Sequence, residues 1–163
     1  MLKRPVKHYT KEPIKKPKVF LDSSVLLSAL FSSKGGSFYI LTQLKNILEL
    51  QINEYVLAET LEVLDKKFPH RSNLKNTLFL LLGTGKVTIF ANPGSEELKN
   101  IEKIVNKEDA PILASAILES DYLATLDQDF LEESVKKFAQ KKSIQIITPG
   151  GLINYLRENS KIY

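Results

Sequence analysis

The chain has 163 residues, no cysteine and a formal net charge of +4. This length suits a single domain with a substantial core, and a composition of 43% hydrophobic and 26% charged residues is typical of a globular protein. The lack of cysteine excludes disulfides, thiolate metal sites and cysteine nucleophiles, and it favours a reducing, cytoplasmic location. No apolar run approaches the roughly 18 residues of a membrane span, so no membrane association is expected.

The positive charge is concentrated at the start of the chain. Residues 1–18 hold seven basic residues and one acid, a net charge of +6, whereas residues 19–163 hold sixteen basic and eighteen acidic residues, a net charge of −2. Three prolines and the lack of an apolar period predict that residues 1–17 form a basic, flexible tail ahead of the folded domain. Such a tail suits either a phosphate-attracting arm or a solubilising terminus.

The first predicted elements surround Asp22. The apolar run Val19–Leu21 predicts a buried strand with Asp22 at its carboxyl end, followed by a helix. A Lys-Gly-Gly break at 34–36 precedes a second helix, which Ser37 is expected to cap. The second strand is predicted over Leu48–Ile52.

Helices dominate the middle of the chain. Asn53 is expected to cap a helix that runs to about Lys67 and contains Glu59. A further helix is predicted over Ser72–Leu82, and the third strand over Val87–Phe90.

The last third of the chain alternates strands and helices again. Ser95 is expected to cap one helix, and Asp109–Ser120 predicts another, with Pro111 near its start, where a missing N–H costs little. The remaining predicted elements are a strand over Tyr122–Leu126, a helix over Phe130–Ala139 and a strand over Ile144–Thr148. A final helix is predicted after the Pro-Gly-Gly segment at 149–151 and runs through Tyr155. Five strands that alternate with helices predict the α/β class, with one domain over residues 18–163 and a parallel sheet of about five strands flanked by helices.

Four acidic residues lie where such a fold binds ligands. Asp22 and Asp127 each follow an apolar strand, Asp109 begins a helix, and Glu59 lies inside one. The carboxyl ends of parallel strands form a ligand-binding crevice, and Asp22 and Asp127 converge there if their strands are neighbours. Clustered carboxylates repel one another, whereas Mg²⁺ or Mn²⁺ prefers oxygen ligands, polarises a phosphoryl group and activates water.

Ordinary structural roles also suit several of these acids. Asp109 suits a helix cap, and Glu59 suits a solvated helix surface. Asp127 and Asp129 can each cap the following helix, and spacing alone does not choose between them as metal ligands.

Two hydroxyl residues accompany the aspartates. Ser24 lies two residues after Asp22, and Thr125 lies two residues before Asp127. Each can hold a carboxylate or a metal-bound water, and each suits an ordinary strand or cap position equally well.

Four segments carry a pattern in a fixed order. They are residues 19–30 (VFLDSSVLLSAL), 53–64 (NEYVLAETLEVL), 108–118 (EDAPILASAIL) and 121–130 (DYLATLDQDF). Together they resemble the PIN-domain ribonucleases, the family that includes VapC-like toxins, over about residues 18–155. The first segment has Asp-Ser-Ser where that family often has Asp-Thr-Asn or Asp-Thr-Ser.

The resemblance implies an endoribonuclease that depends on Mg²⁺ or Mn²⁺. The residues to which it assigns catalysis and metal binding are Asp22, Glu59, Asp109 and Asp127, with Asp129 as a further metal ligand and Ser24 and Thr125 as supporting polar groups. It also implies an RNA substrate, a homodimer and, in some members, an antitoxin partner. Attraction of RNA to an acidic core would then depend on the metal, the tail and lysines such as Lys34, Lys136, Lys137, Lys141 and Lys142.

Two other functions fit parts of the pattern. One is a PIN-like module that binds RNA or protein without cutting. The other is an α/β phosphatase with Asp22 as the nucleophile, although Ser24 stands where the second aspartate of the usual Asp-x-Asp-x-Thr signature would be.

Overall fold

The structure is a computed structural model that describes residues 14–159. The strands within this range are β1 (Lys18–Leu21), β2 (Glu49–Asn53), β3 (Thr88–Phe90), β4 (Tyr122–Ala124) and β5 (Gln145–Ile147). The helices within it are α1 (Ser23–Phe31), α2 (Gly36–Gln43), α3 (Glu54–Lys67), α4 (Asn73–Thr84), α5 (Ser95–Ile101), α6 (Ala110–Glu119), α7 (Gln128–Leu131), α8 (Glu133–Lys141) and α9 (Pro149–Glu158). This alternation confirms the predicted α/β class.

The five strands form one sheet in the order β3-β2-β1-β4-β5, with every neighbouring pair parallel. The centre is β1, and β4 lies beside it, with Leu21 opposite Ala124. The chain winds from β1 towards β3 and then crosses to β4 and β5 on the other side. The topological switch point therefore falls between β1 and β4. The strands before Asp22 and Asp127 are neighbours, which is the condition that the convergence of these two residues required.

The central strands are buried on both faces. Val19, Phe20 and Leu21 are all 0% exposed, and so are Leu123 and Ala124. Because successive strand side chains point to opposite faces, this burial requires cover on both faces of the sheet. The continuous apolar run that identified β1 in the sequence is the pattern expected of such a strand.

Two predicted helix caps are wrong. Gly35 is the N-cap residue of α2, and Ser37 lies buried in the first turn. Likewise Gly94 is the N-cap residue of α5, which begins at Ser95. Glycine is itself tolerated at the N-cap position, so the helix in each case begins earlier than the hydroxyl residue suggested.

The helix predicted over Phe130–Ala139 is divided in two. Glu132 is extended, with φ −60° and ψ 140°, and it separates α7 from α8. The fully buried ring of Phe130 belongs to the first piece. The short helix α7 therefore begins directly after Asp127 and packs against α8 and β5.

The predicted tail is described only at its end. Residues 14–16 are exposed and lie outside helices and strands, whereas residues 1–13 lie outside the described residues. Within residues 14–159, no helix combines the length and the apolar character that crossing a membrane requires.

Candidate active site

Asp22 lies at the carboxyl end of β1, at the switch point of the sheet. Its Oδ2 atom accepts hydrogen bonds from Ser24 Oγ at 2.7 Å and from Thr125 Oγ1 at 2.8 Å, and Ser23 Oγ donates to Oδ1 at 3.4 Å. The residue is only 3% exposed. Burial raises the pKa of Asp22, and the hydroxyl hydrogen bonds oppose that shift. Both predicted hydroxyl residues thus contact the same carboxylate.

The same hydroxyls hold the loop that follows β4. Leu126 N donates to Ser24 Oγ at 3.0 Å, and Asp127 N donates to Thr125 Oγ1 at 3.0 Å. These N–H groups bond to side chains instead of to a neighbouring strand, so β4 ends at Ala124 rather than at the predicted Leu126. The loop that carries Asp127 is thereby tied to the end of β1.

The structure distinguishes the two aspartates after β4. Asp127 is the N-cap residue of α7, and its Oδ1 accepts a hydrogen bond from Asp129 N at 3.0 Å. The charge of Asp127 also raises the pKa of Asp22, Glu59 and Asp109, whereas the charge of Asp129 raises the pKa of Asp109 alone. Asp127 therefore both caps a helix and lies near the other three acids.

Glu59 lies half-buried in α3. Its Oε2 atom is buried and has no hydrogen-bond partner among residues 14–159. Burial raises the pKa of Glu59, the Ser23 hydroxyl opposes the shift, and the charges of Asp22, Glu108 and Asp127 add to it. An unpaired buried carboxylate oxygen costs free energy until a donor or a cation contacts it.

Asp109 immediately precedes α6, but its side chain does not cap that helix. Its Oδ2 accepts a hydrogen bond from Asn106 Nδ2 at 2.8 Å, and its N–H donates to Asn106 Oδ1 at 2.8 Å. Burial, followed by the charges of Asp127 and Asp22, raises the pKa of Asp109 to about 6. Helix capping therefore does not account for this carboxylate.

A buried asparagine joins the helices that carry these last two acids. Asn53 Oδ1 accepts a hydrogen bond from Val56 N at 2.9 Å, which confirms its predicted capping of α3. Its Nδ2 donates to Pro111 O at 3.1 Å and to Ser115 Oγ at 2.9 Å, both in α6. One side chain thus fixes the start of α3 against the start of α6.

Sequence reasoning missed three polar neighbours of the site. Asn106 donates a hydrogen bond to the Asp109 carboxylate, and the charge of Glu108 contributes to the raised pKa of Glu59. Burial raises the pKa of Tyr55, and the charges of Glu59, Glu108 and Asp109 raise it further. The Asn-x-x-Asp spacing is a signal for the first of these residues, whereas only the folded arrangement brings Tyr55 to the acids.

Comparison of the sequence with known protein families identifies the family of this chain. The profile of the PIN domain matches residues 19–134. The chain belongs to the PIN domain family. No curated protein matches it at a significant level.

Solved structures share the fold of this PIN domain at low sequence identity. The structure of VapBC2 from Rickettsia felis, bound to a DNA fragment from their promoter, is 16% identical, with a TM-score of 0.62. That match covers 80% of this chain and 98% of the other. PAE2754 from Pyrobaculum aerophilum is 17% identical, with a TM-score of 0.52, and the match covers 78% of this chain and 90% of the other.

PIN domains are nucleases that in general depend on divalent metal ions, so the fit of such an ion can be tested here. Among residues 14–159, no group of three or more acidic or histidine side chains is already arranged to hold a metal ion. The donors nevertheless suit a hard cation. A cation would provide a partner for Glu59 Oε2. It would also favour the ionised forms of Asp22, Glu59 and Asp109, whose pKa is raised by burial first and by the neighbouring negative charges second.

Proposed function

We propose that this PIN domain is an endoribonuclease that hydrolyses RNA phosphodiester bonds with a carboxylate-bound divalent metal ion. The observation that carries the proposal is a group of buried and half-buried acids beyond β1 and β4, in which the charges of Asp22 and Asp127 add to the effect of burial on the pKa of Glu59 and Asp109. In this proposal Asp22, Glu59, Asp109 and Asp127 hold Mg²⁺ or Mn²⁺, directly or through water. Asp129 assists from the first turn of α7.

The neighbouring polar residues position these ligands. Ser24 and Thr125 hold Oδ2 of Asp22 by two short hydrogen bonds, so that this carboxylate keeps one orientation. Asn106 orients Asp109 in a similar way, but by a single hydrogen bond to its Oδ2 atom. A bound divalent ion supplies a Lewis acid for the phosphodiester and lowers the pKa of the attacking water.

The rest of the described chain offers little other acid–base chemistry at this site. His70, the histidine within residues 14–159, is exposed in the connection between α3 and α4. The chain has no cysteine. Asp109, whose pKa burial raises to about 6, is therefore a group at the crevice that can hold or move a proton near neutral pH.

RNA cleavage by matched variants tests the proposal. The purified chain is incubated with end-labelled single-stranded RNA and Mn²⁺, and the experiment is repeated with Asp22→Asn and with Asp121→Asn. Asp121 precedes β4 at the opposite edge of the sheet, where its Oδ2 accepts a 2.9 Å hydrogen bond from Lys18 N. We expect Asp22→Asn to lose activity about 100-fold or more, because even groups that only orient a metal ligand contribute about 10- to 100-fold. Asp121→Asn should retain activity.

The products separate this proposal from its alternatives. Attack by water leaves a 5′-phosphate on the downstream fragment. If the wild type binds RNA but leaves it intact with Mn²⁺ and with Mg²⁺, the chain is a binding module instead. Hydrolysis of a small phosphomonoester, with a phosphoryl group trapped on Asp22, would instead establish the phosphatase.

The assembly, the partner and the location belong to the same proposal. We infer a homodimer, a possible antitoxin protein partner, and action in the cytoplasm, which suits a chain without cysteine. We also infer that residues 18–163 are the nuclease domain and residues 1–17 an accessory basic tail. Sedimentation of the chain alone tests the dimer, and RNA cleavage by a chain that begins at residue 14 tests the tail.

A further inference from the structure

A pocket of about 300 Å³, separate from the crevice that contains the acids, lies where α2 and α9 begin. The two helices approach closely here, since a Cβ atom on Gly36 would lie 3.3 Å from Ile153 Cδ1 and 3.4 Å from Gly150 N. The polar side chains that line the pocket are Lys34, Tyr39, Asn154 and Arg157.

These side chains make the pocket a site of hydrogen-bond donors. Lys34 and Arg157 are cations, Tyr39 and Asn154 carry an O–H and an amide NH₂, and no carboxylate belongs to the lining. Neither cation forms a salt bridge with any residue in the range 14–159. Within the described part of the chain, no carboxylate therefore neutralises their charges.

The two arginines within residues 14–159 differ in their surroundings. The guanidinium of Arg71 lies over the ring of Phe31, 5.8 Å from its centroid. Arg157 has no such ring contact, and it shares a helix face with Asn154, three residues earlier. Its planar guanidinium matches a phosphate group, which it can contact through two parallel hydrogen bonds.

The pocket borders the crevice that contains the acids. Thr125, which donates to Asp22, also donates its N–H to Ile147 O at 3.0 Å, and Gly150 follows three residues later. The strand β5 lies two positions from β1, which corresponds to about 10 Å at roughly 4.8 Å per strand. The pocket is therefore close to the candidate active site but separate from it.

A different pocket, beside α3, has a mixed lining with one more carboxylate than ammonium group. It is lined by Glu59, Glu62 and Glu108 as well as by Lys66 and Lys67. Its carboxylates repel a polyanion, whereas the pocket at α2 and α9 attracts one. A negatively charged chain that crosses the crevice would thus be held from the β5 side.

We propose that the pocket formed by Lys34, Tyr39, Asn154 and Arg157 binds a backbone phosphate group of the RNA substrate, one or two nucleotides away from the phosphate that is cut. The inference rests on the proposed ribonuclease function. It adds that the RNA strand runs from the acids of the crevice towards the β5 side of the sheet. Lys34 and Arg157 contact the non-bridging oxygens, and the pocket reads the backbone rather than the bases. Positive charge in this pocket offsets the acidity of the crevice, which by itself would repel RNA.

Binding of RNA, measured separately from cleavage, tests this inference. Fluorescent single-stranded RNA is titrated into Asp22→Asn protein in EDTA, with and without the double substitution Lys34→Gln and Arg157→Gln. The matched control removes two charges at Lys99 and Lys103, exposed residues in α5 and shortly after it that do not line this pocket. We expect the pocket variant to bind about tenfold more weakly or worse at low salt. Its slope of log K against log[salt] should fall by about 0.7 per phosphate lost, and the control should change less.

The outcomes distinguish this inference from the proposed function. If the wild type cleaves RNA but the pocket variant and the control bind it equally well, the inference is wrong and the ribonuclease stands. If RNA binds through the pocket but is never cut, the proposed function fails while the phosphate site stands. Failure of the wild type to bind RNA at all overturns both. Equal urea-unfolding midpoints of the two charge variants show that the fold is intact in each.

Discussion

Thr125 Oγ1 donates a 2.8 Å hydrogen bond to Asp22 Oδ2, which joins the carboxyl ends of the two central strands. Thr125 is fully buried and Asp22 nearly so. A buried hydrogen bond to a carboxylate is worth more than one between neutral groups, about 1.5 to 3 kcal/mol. It stabilises the ionised form of Asp22 and so opposes the rise that burial causes in the pKa of this group.

We expect Thr125→Val to lower the free energy of unfolding by about 1.5 to 3 kcal/mol at pH 7.5, because the carboxylate then lacks one donor. The pKa of Asp22 should rise further, so that Mn²⁺ binding requires a higher pH. Urea unfolding in EDTA and a Mn²⁺ titration at several pH values measure the two effects.

Thr60→Val provides the control for this substitution. Thr60 is also fully buried, but its hydroxyl donates to Val56 O, within α3. Loss of such a bond within one helix should cost less than about 1 kcal/mol and leave Mn²⁺ binding unchanged. Equal losses in the two variants would show that the bond to Asp22 has no special role.

The pKa of Asp109 predicts how stability varies with pH. The ordinary pKa of this carboxyl is 3.8, and in the folded protein its pKa is raised to about 6. The folded state therefore binds the proton more tightly than the unfolded state. The stability that this proton contributes is fully present below about pH 3.8 and is lost as the pH rises through about 6.

In EDTA, we therefore expect the free energy of unfolding to be higher at pH 5.5 than at pH 7.5. The raised pKa values of Asp22 and Glu59 act in the same direction. Asp109→Asn should be more stable than the wild type at pH 7.5 and should depend less on pH. Urea unfolding of both proteins at the two pH values measures this, and a steeper pH dependence in Asp109→Asn would contradict it.

The sequence predicted β1 well, because the apolar run Val19–Leu21 is a fully buried strand whose burial is visible in its composition. Asp22 was identifiable for the same reason, as an acid that ends a buried run. The order of the strands depends on pairing between distant residues, so only the structure shows that Ala124 lies beside Leu21. The different contacts of Asp127 and Asp129 likewise depend on the folded geometry.

Local signals also failed at helix boundaries. Serine is a common N-cap residue, yet Ser37 and Ser95 lie inside their helices because a glycine precedes each helix. Asn53 was identified as a cap from its position, but its bonds to α6 join residues about 60 positions apart. No short pattern in the sequence encodes such a link.

The unpaired Oε2 atom of Glu59 predicts a response to metal ions. We expect Mn²⁺ to raise the unfolding midpoint at pH 7.5. At a Mn²⁺ concentration of about 100 times its Kd, the free energy of unfolding should increase by about 2.7 kcal/mol. Glu59→Gln should be at least as stable as the wild type in EDTA, since it removes a buried charge, and should lose most of this response. Thermal unfolding with and without Mn²⁺ measures both.

Glu62→Gln is the matched control for Glu59→Gln. Glu62 lies one turn further along α3, where its exposed side chain pairs with Lys66. Exposed pairs of this kind contribute little, about 0 to 1 kcal/mol. Glu62→Gln should therefore keep the full response to Mn²⁺, and a loss as large as that of Glu59→Gln would refute the assignment of Glu59 as a ligand.

Asn53 links α3, which carries Glu59, to α6, which follows Asp109, so its removal should affect both stability and metal affinity. We expect Asn53→Ala to lower the free energy of unfolding by about 2 to 4 kcal/mol, because it removes an N-cap worth about 1 kcal/mol and leaves Pro111 O and Ser115 Oγ without their buried donor. Asn53→Ser keeps a cap oxygen for Val56 N but does not reach α6. It should recover about 1 kcal/mol and none of the lost Mn²⁺ affinity. Full recovery of Mn²⁺ binding by Asn53→Ser would show that the cap alone positions the acids.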